Sequence, residues 1–328
     1  MSTPVLKVEN LKVHFPIKSG GFLNARTLPL KAVDGVSFNV DAGECLGVVG
    51  ESGCGKSTLG RAVLQLIKPT AGKVVWMGEN LCDLSHETMR QKRSDLQLVF
   101  QDPLSSLNPR LTVAEIIREP LYATDASMTR EEADTRIAAI MTAVGLLPEM
   151  RNRYPHEFSG GQCQRIAIAR AMVLRPKLIV CDEPVSALDV SIQAQIINLL
   201  RRLQKEYGLS LIFISHDLSV VRHLCHRVMV LYLGRMMEMA DRDSLFAKPL
   251  HPYTQALISA VPIPDPAKER TKEAVILSGD LPSPMNPPSG CVFRTRCPKA
   301  TPVCIKDAPA IETLDNGRQI ACHHWRTL

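Results

Sequence analysis

Eight residues, Gly50-Glu-Ser-Gly-Cys-Gly-Lys56-Ser57, carry three glycines, a lysine and two hydroxyls. Such a loop can turn its backbone N–H groups inward around an anion, and a helix starting just after it adds the favourable field of its N-terminus. The chemistry is phosphate binding. Gly50, Ser52, Gly53, Cys54 and Gly55 form the cradle, and Lys56 reaches the β and γ phosphates of a nucleotide. Ser57 offers its hydroxyl to Mg2+, and Thr58 follows in the first helical turn, within reach of an earlier phosphate.

A second constellation is the apolar run Leu178-Ile-Val-Cys181 ending in Asp182 and Glu183. A buried strand delivers charge only at its mouth, so Asp182 is expected to hold Mg2+ and Glu183 to polarise the water that attacks the γ phosphate. Phosphoryl transfer depends on placing water and charge, so further polar groups should converge there. Gln101 and His216 are the candidates. They follow the strand-like runs Leu96-Gln-Leu-Val-Phe100 and Leu211-Ile-Phe-Ile-Ser215. Taken alone, either would read as an ordinary turn residue.

A third set lies in the tail, where Cys291, Cys297, Cys304 and Cys322 are separated by five, six and seventeen residues. The tail is rich in proline and poor in periodic apolar runs, a composition that needs a staple. Four thiolates suit Zn2+ or an iron-sulfur cluster, and the spacing alone leaves the metal undecided. On this reading Cys297→Ser should loosen the tail. His323 and His324 stand nearby as alternative ligands or plain surface residues.

The elements that must position these groups are legible in outline. Leu6–Phe15 roughly alternates, and after a glycine-rich interruption Ala32–Val40 does so again, which predicts antiparallel strands. Cys45–Gly50 then reads as a strand entering the loop, and Ser57–Ile67 as the helix leaving it. Thr112–Gly145 has helical periodicity, the run ending at Asp182 reads as a parallel strand, Ser191–Tyr207 as a helix and Leu209–Ser215 as another strand. The fold class is α/β. From Pro249 the composition changes, and prolines crowd between Val261 and Pro288.

The chain has 328 residues, 45% of them hydrophobic, enough to bury a full core. It holds no run of the roughly 18 apolar residues a bilayer span needs, and no export signal at its start, so a cytosolic chain is expected. The net charge of +6 is spread along the chain without a basic stripe, which argues against nucleic acid.

Phe158-Ser159-Gly160-Gly161-Gln162, just before a helical segment Arg165–Leu174, closely resembles the signature motif of ABC ATPases, although leucine commonly stands where this chain has Phe158. The resemblance implies an ABC-type P-loop NTPase core, a mixed sheet with an antiparallel β subdomain and a helical subdomain, plus a small loop-rich C-terminal module. In that family ATP is sandwiched between the phosphate loop of one subunit and the signature of the other. Ser159, Gly160, Gly161 and Gln162 would then face the partner's nucleotide, and a helix N-terminus suits that role. Gln101 matches the Q-loop, which also approaches Mg2+, and Ser186-Ala-Leu-Asp189 matches the D-loop. His216 matches the H-loop switch, and Phe15 the aromatic that stacks on adenine.

The interrupted N-terminus Ile17–Lys31, His251-Pro-Tyr-Thr-Gln-Ala-Leu257 and Gly279–Pro288 look like the ATPase subunits of dipeptide and oligopeptide importers, whose close relatives handle nickel. The similarity is greatest to the dipeptide-permease F-type ATPase. It implies a nucleotide-binding domain over residues 1–248, with its helical subdomain at about 102–175, and an importer-type extension over residues 249–328. It also implies a [4Fe-4S] cluster on the four tail cysteines, with zinc as the alternative. The expected partners are two membrane permeases, a second related ATPase in a heterodimer, and an extracytoplasmic solute-binding protein, with this chain peripheral on the cytoplasmic face of the membrane. The rival readings are an ABC ATPase acting on ribosomes or DNA, and a redox- or iron-sensing regulatory subunit. The first would call for a second cassette or a long coiled coil, which this sequence lacks.

Overall fold

The computed structural model describes residues 4–19, 26–262, 265, 269–270, 275, 277 and 279–327. The glycine-rich part of the Ile17–Lys31 interruption, residues 20–25, and much of the proline-rich Val261–Pro288 connection lie outside the described residues. Strands β1 (Leu6–Ser19), β2 (Arg26–Val40) and β3 (Cys45–Val49) precede helix α1 (Lys56–Val63) and strands β4 (Ala71–Trp76) and β5 (Glu79–Asn80). Then come α2 (His86–Lys92), β6 (Leu96–Val99), α3 (Pro103–Ser106), α4 (Val113–Thr124), α5 (Arg130–Ala143) and α6 (Gly160–Met172). They are followed by β7 (Leu178–Asp182), α7 (Val190–Tyr207), β8 (Ser210–Ile214), α8 (Leu218–Leu224), β9 (Arg227–Tyr232) and β10 (Arg235–Asp241). The chain continues through α9 (Arg242–Ala247), α10 (Pro252–Ser259), a short helix Pro302–Lys306, and strands β11 (Glu312–Thr313) and β12 (Gln319–Ile320).

These elements divide into two compact units. The first comprises Val40–Cys45 and Asp83–Ile214, the second Pro4–Asn39, Leu46–Cys82 and Ser215–Leu328.

In the first unit β6, β7 and β8 lie side by side and parallel, with Val99 opposite Cys181 and Asp182 opposite Ile214. Every residue of β7 and β8 is buried, as expected of parallel strands covered on both faces. Helices α4 and α5 each open on a capping box, Thr112 with Glu115 and Thr129 with Glu132. At the far end of α5, Val144 O accepts from Arg165 Nη1 at 2.6 Å and Ala143 O from Arg202 Nη2. Two cations thus complement the negative end of that helix. Helix α6 begins at Gly160, earlier than the segment from Arg165 expected from periodicity. The Ser159–Gln162 capping box starts it there, and the poor helix propensity of the two glycines hides that start in the sequence.

In the second unit one sheet has the order β2-β1-β4-β5, and β1 runs antiparallel to β4. The other strands lie in the order β11-β12-β10-β9-β3, with β3 parallel to β9 and the remaining pairs antiparallel. The tail strand β12 therefore extends the sheet beside β10, with Glu238 opposite Ile320. Helix α1 stops at Val63, short of Ile67, because Gln65 takes a left-handed φ of 54° and its amide closes onto Ala62 O at 2.9 Å. Among the described residues no helix is long and apolar enough to cross a membrane.

The tail carries a correction. Among the described residues no group of three or more His, Cys, Asp or Glu side chains is placed to hold a metal ion. The iron-sulfur cluster, or zinc, expected on Cys291, Cys297, Cys304 and Cys322 is overturned, and with it the metal staple. All four are free cysteines. Burial pushes the Cys291 thiol up to about 11 and raises those of Cys297 and Cys322. Aromatic packing and ion pairs order the tail instead. Phe293 is 1% exposed and packs against Tyr232, Tyr253 and His251 with ring centroids 5.2, 5.2 and 5.6 Å away. Arg318 closes on the fully buried Glu238.

Candidate nucleotide-binding and hydrolysis site

The phosphate loop belongs to the second unit. It leaves β3 at Gly50 and enters α1 at Lys56. Two of its glycines are obligatory for space. A Cβ on Gly50 would stand 2.2 Å from Leu231 O, and one on Gly55 2.0 Å from Ala32 O, both at positive φ. The neighbouring strands therefore press the loop into its curl, which only glycine tolerates. Gly55 caps α1 without a side-chain bond, so the first-turn N–H groups of that helix have no capping side chain. Lys56 is 5% exposed, and its Nζ donates to Gly50 O at 2.9 Å and Glu51 O at 3.0 Å. The ammonium thus sits inside the ring of the loop, the place a phosphate-binding lysine must occupy. Ser57 and Thr58 are half-buried in the first turn, whereas Ser52 and Gly53 are exposed at the loop tip. Cys54 is buried, its thiol raised by that burial, and it acts as a packing residue.

Two other expected residues share this unit. Phe15 lies on β1, half-buried. His216 is exposed and follows Ser215, whose N–H donates to Val48 O of β3 at 3.2 Å.

The carboxylates belong to the first unit. Asp182 ends β7 and is 2% exposed. Glu183 follows with a left-handed φ of 48°, unusual outside glycine, while its N–H donates to Ile214 O at 3.0 Å. The kink swings Glu183 out of the strand line, so that the two adjacent acids occupy different environments, one buried and one half-open. Gln101 Nε2 donates to Glu183 Oε2 at 3.1 Å. The matched ends of β6 and β7 bring this pair together, as the strand register requires. The carbonyl of Glu183 accepts from Ser186 Oγ at 3.1 Å, which ties the D-loop to the same turn.

Ser159, Gly160, Gly161 and Gln162 form the N-terminus of α6. Ser159 Oγ accepts from Gln162 N at 3.4 Å, and Gln162 Oε1 accepts from Ser159 N at 3.0 Å. Gly161 answers a packing need, since a Cβ there would meet Ile192 Cγ2 of α7 at 2.5 Å. Asp189 caps α7 from the end of the D-loop and is exposed. The structure thus gathers Gln101, Asp182 and Glu183 at one strand mouth, and the signature residues with the D-loop at neighbouring helix starts, within the first unit.

Sequence reasoning missed three residues around the loop. Glu51 N donates to Tyr253 Oη at 2.9 Å, and Glu51 Oε2 accepts from Arg296 Nη1 at 2.6 Å. No spacing rule joins residues 245 positions apart, as Glu51 and Arg296 are. The one available signal was the sequence His251-Pro-Tyr253, which begins α10.

Comparison with known proteins agrees with this geometry. The family profile described as ABC transporter matches residues 33–186, and that described as oligopeptide/dipeptide transporter, C-terminal region, matches residues 237–304. The chain is 59% identical over 309 residues to the oligopeptide transport ATP-binding protein OppF of Salmonella typhimurium, covering 94% of this chain and 92% of the relative. It is 52% identical over 320 residues to the oligopeptide transport ATP-binding protein AppF of Bacillus subtilis, covering 97% of each. Among solved structures, it resembles cbiO1 from Clostridium perfringens, part of the ABC transporter complex cbiONQ, at TM-score 0.64 and 28% identity over 75% of this chain and 91% of that one. The ATP-binding cassette MJ0796, in a dimeric post-hydrolysis state bound to ADP and Pi, matches at TM-score 0.64 and 30% identity over 72% of this chain and 98% of that one. A phosphate loop, a paired-carboxylate strand and a capped signature helix, on a chain that shares this much sequence over nearly its whole length, have one common account: the chain belongs to the family of ABC transporter ATP-binding subunits that carry the oligopeptide/dipeptide transporter C-terminal region.

Proposed function

We propose that this chain hydrolyses ATP to drive the import of short peptides through membrane permeases. The observation that carries the reading is the turn after β7, where Gln101 orients Glu183 directly beside the buried Asp182.

Phe15 stacks on adenine. Gly50, Ser52, Gly53, Cys54 and Gly55 wrap the phosphates with backbone N–H groups, Lys56 neutralises the β and γ phosphates, and Thr58 contacts an earlier one. Ser57, Asp182 and Gln101 supply a hydroxyl, a carboxylate and an amide oxygen, hard donors that suit Mg2+. Mg2+ held by these residues would offset charge on the phosphate oxygens. Glu183 acts as general base toward the attacking water, with Gln101 and His216 positioning water and γ phosphate. Ser159, Gly160, Gly161, Gln162 and Asp189 complete the site of a partner ATPase across a dimer interface.

The working division is a nucleotide-binding domain over residues 1–248, including the helical subdomain at about 102–175, and a C-terminal extension over residues 249–328. The partners are two permeases, a second related ATPase and an extracytoplasmic solute-binding protein, with this chain peripheral on the cytoplasmic face. The names of the oligopeptide transport relatives support the substrate class.

The test is gentle purification of the tagged chain from native membranes, with stoichiometric companions identified by mass. Two multispanning permeases and a second ATPase are expected. Recovery with ribosomes, with DNA or alone would remove the transport claim.

A further inference from the structure

Glu51 stands at the entrance of the phosphate loop and is held at three points within the second unit. Its N–H donates to the Tyr253 hydroxyl at 2.9 Å, its carboxylate accepts from Arg296 Nη1 at 2.6 Å, and its carbonyl accepts from Lys56 Nζ at 3.0 Å. Tyr253 and Arg296 both come from the C-terminal part of the chain. Tyr253 is fully buried and packs against Tyr232 and Phe293, with ring centroids 4.8 and 5.2 Å away. Arg296 leaves 10% of its side chain exposed, and its N–H donates to Phe293 O at 3.0 Å, so the buried Phe293 anchors the turn that aims the guanidinium. Both residues fall inside the stretch 237–304 that matches the oligopeptide/dipeptide transporter C-terminal region.

A carboxylate at this place is an electrostatic liability. It would repel the polyphosphate that Lys56 attracts, and it could draw the lysine ammonium away from the nucleotide. The Arg296 guanidinium cancels that charge through a short, largely desolvated contact, and Tyr253 fixes the backbone from which the loop curls. Neither group needs to touch ATP to act.

We propose that the C-terminal region braces the phosphate loop, with Arg296 and Tyr253 as positioning residues that keep Glu51 neutralised and Lys56 turned toward the nucleotide. This rests on the reading of the loop as an ATP site. Nucleotide binding by this chain thereby depends on a segment more than two hundred residues from the loop in sequence.

The test uses the full-length chain, a fluorescent ATP analogue and steady-state ATP hydrolysis. Arg296→Met should weaken ATP binding by roughly tenfold and raise KM similarly while leaving kcat within about twofold, because ground-state binding of phosphate is what the brace serves. Adding Glu51→Gln to Arg296→Met should recover most of the loss, since the unbalanced charge is then gone. Arg296→Lys, which keeps the charge, should bind ATP more tightly than Arg296→Met and folds if the methionine variant does not. Arg326→Ala, which removes an exposed ion pair with Glu312 elsewhere in the tail, should behave as wild type. Wild-type affinity in Arg296→Met, or a double variant as weak as the single one, overturns the brace. Failure of the wild-type chain itself to bind ATP overturns the reading of the loop, a result distinct from both.

Discussion

Gln101 and Glu183 are 82 residues apart in the chain and joined by a 3.1 Å hydrogen bond between Nε2 and Oε2. The bond fixes the orientation of the Glu183 carboxylate. The left-handed turn at Glu183 directs that group out of the strand line.

Replacement of Glu183 by Gln should therefore abolish turnover while sparing binding. A fall in kcat of at least about a hundredfold is expected, the scale of losing a general base, with ATP affinity within a few fold of wild type. Gln101→Ala should lower kcat by a smaller factor, because the base remains but its orientation is lost. Phosphate-release rates together with nucleotide titrations decide the matter, and near-normal turnover in Glu183→Gln would remove the assignment.

Most of the elements that carry this candidate site were legible before any coordinates. The loop from Gly50 to Ser57, the strand ending at Asp182 and the signature from Ser159 are contiguous motifs whose chemistry depends on neighbours in sequence. What escaped were relationships set by tertiary approach. The Glu51–Arg296 pair and the burial of Phe293 depend on how the tail folds back, and no periodicity encodes that. The cysteines show the converse error. Four residues of one type in a poorly cored segment suggested a metal, yet a buried aromatic cluster and an ion pair order the same segment. Composition identified the need for a staple without identifying its kind.

Gly161 gives a test of packing at the signature helix. An added methyl would meet Ile192 Cγ2, a branched side chain with little freedom to move, at 2.5 Å. Gly161→Ala should destabilise the protein by about 1–3 kcal/mol, the usual cost of overpacking, despite alanine's better helix propensity. Ile192→Ala in the same chain should recover part of that loss. Urea unfolding of the two variants checks this, and a Gly161→Ala protein more stable than wild type would show that the helices separate freely.

Arg318 and Glu238 test what orders the tail. Glu238 is 0% exposed, and its carboxylate accepts from Arg318 Nε at 2.9 Å and from the N–H groups of Leu250 and His251 at 3.0 Å each. Arg318→Met strands this carboxylate, at an expected cost of about 3–5 kcal/mol, while Glu238→Gln with Arg318→Met should cost less because no buried charge remains. The readouts are urea unfolding and protease cleavage of the tail. A loss below about 1 kcal/mol in Arg318→Met would mean that water reaches the carboxylate.

Asp34 makes the sheet of the second unit sensitive to acid. Burial alone would raise its pKa, but Arg235, at 2.7 Å from Nη2 to Oδ2, together with the charge of Lys31 and the contact with His14 at 3.1 Å, outweighs burial and holds the carboxyl below its ordinary 3.8. A depressed pKa in the folded state means that the folded chain favours the ionised form more than the unfolded chain does. The resulting stability is fully present above about pH 4 and is lost as the pH falls through the lower, folded value. Asp34→Asn removes this contribution at neutral pH and has nothing further to lose in acid from this position. Melting temperatures measured from about pH 7 down to about pH 2.5 should therefore show the wild type falling more steeply, with the two curves converging at the acid end. If the gap between them stayed constant down to the lowest pH, shape rather than charge at Asp34 would account for its contribution, and the ion pair with Arg235 would be incidental to the stability of the sheet.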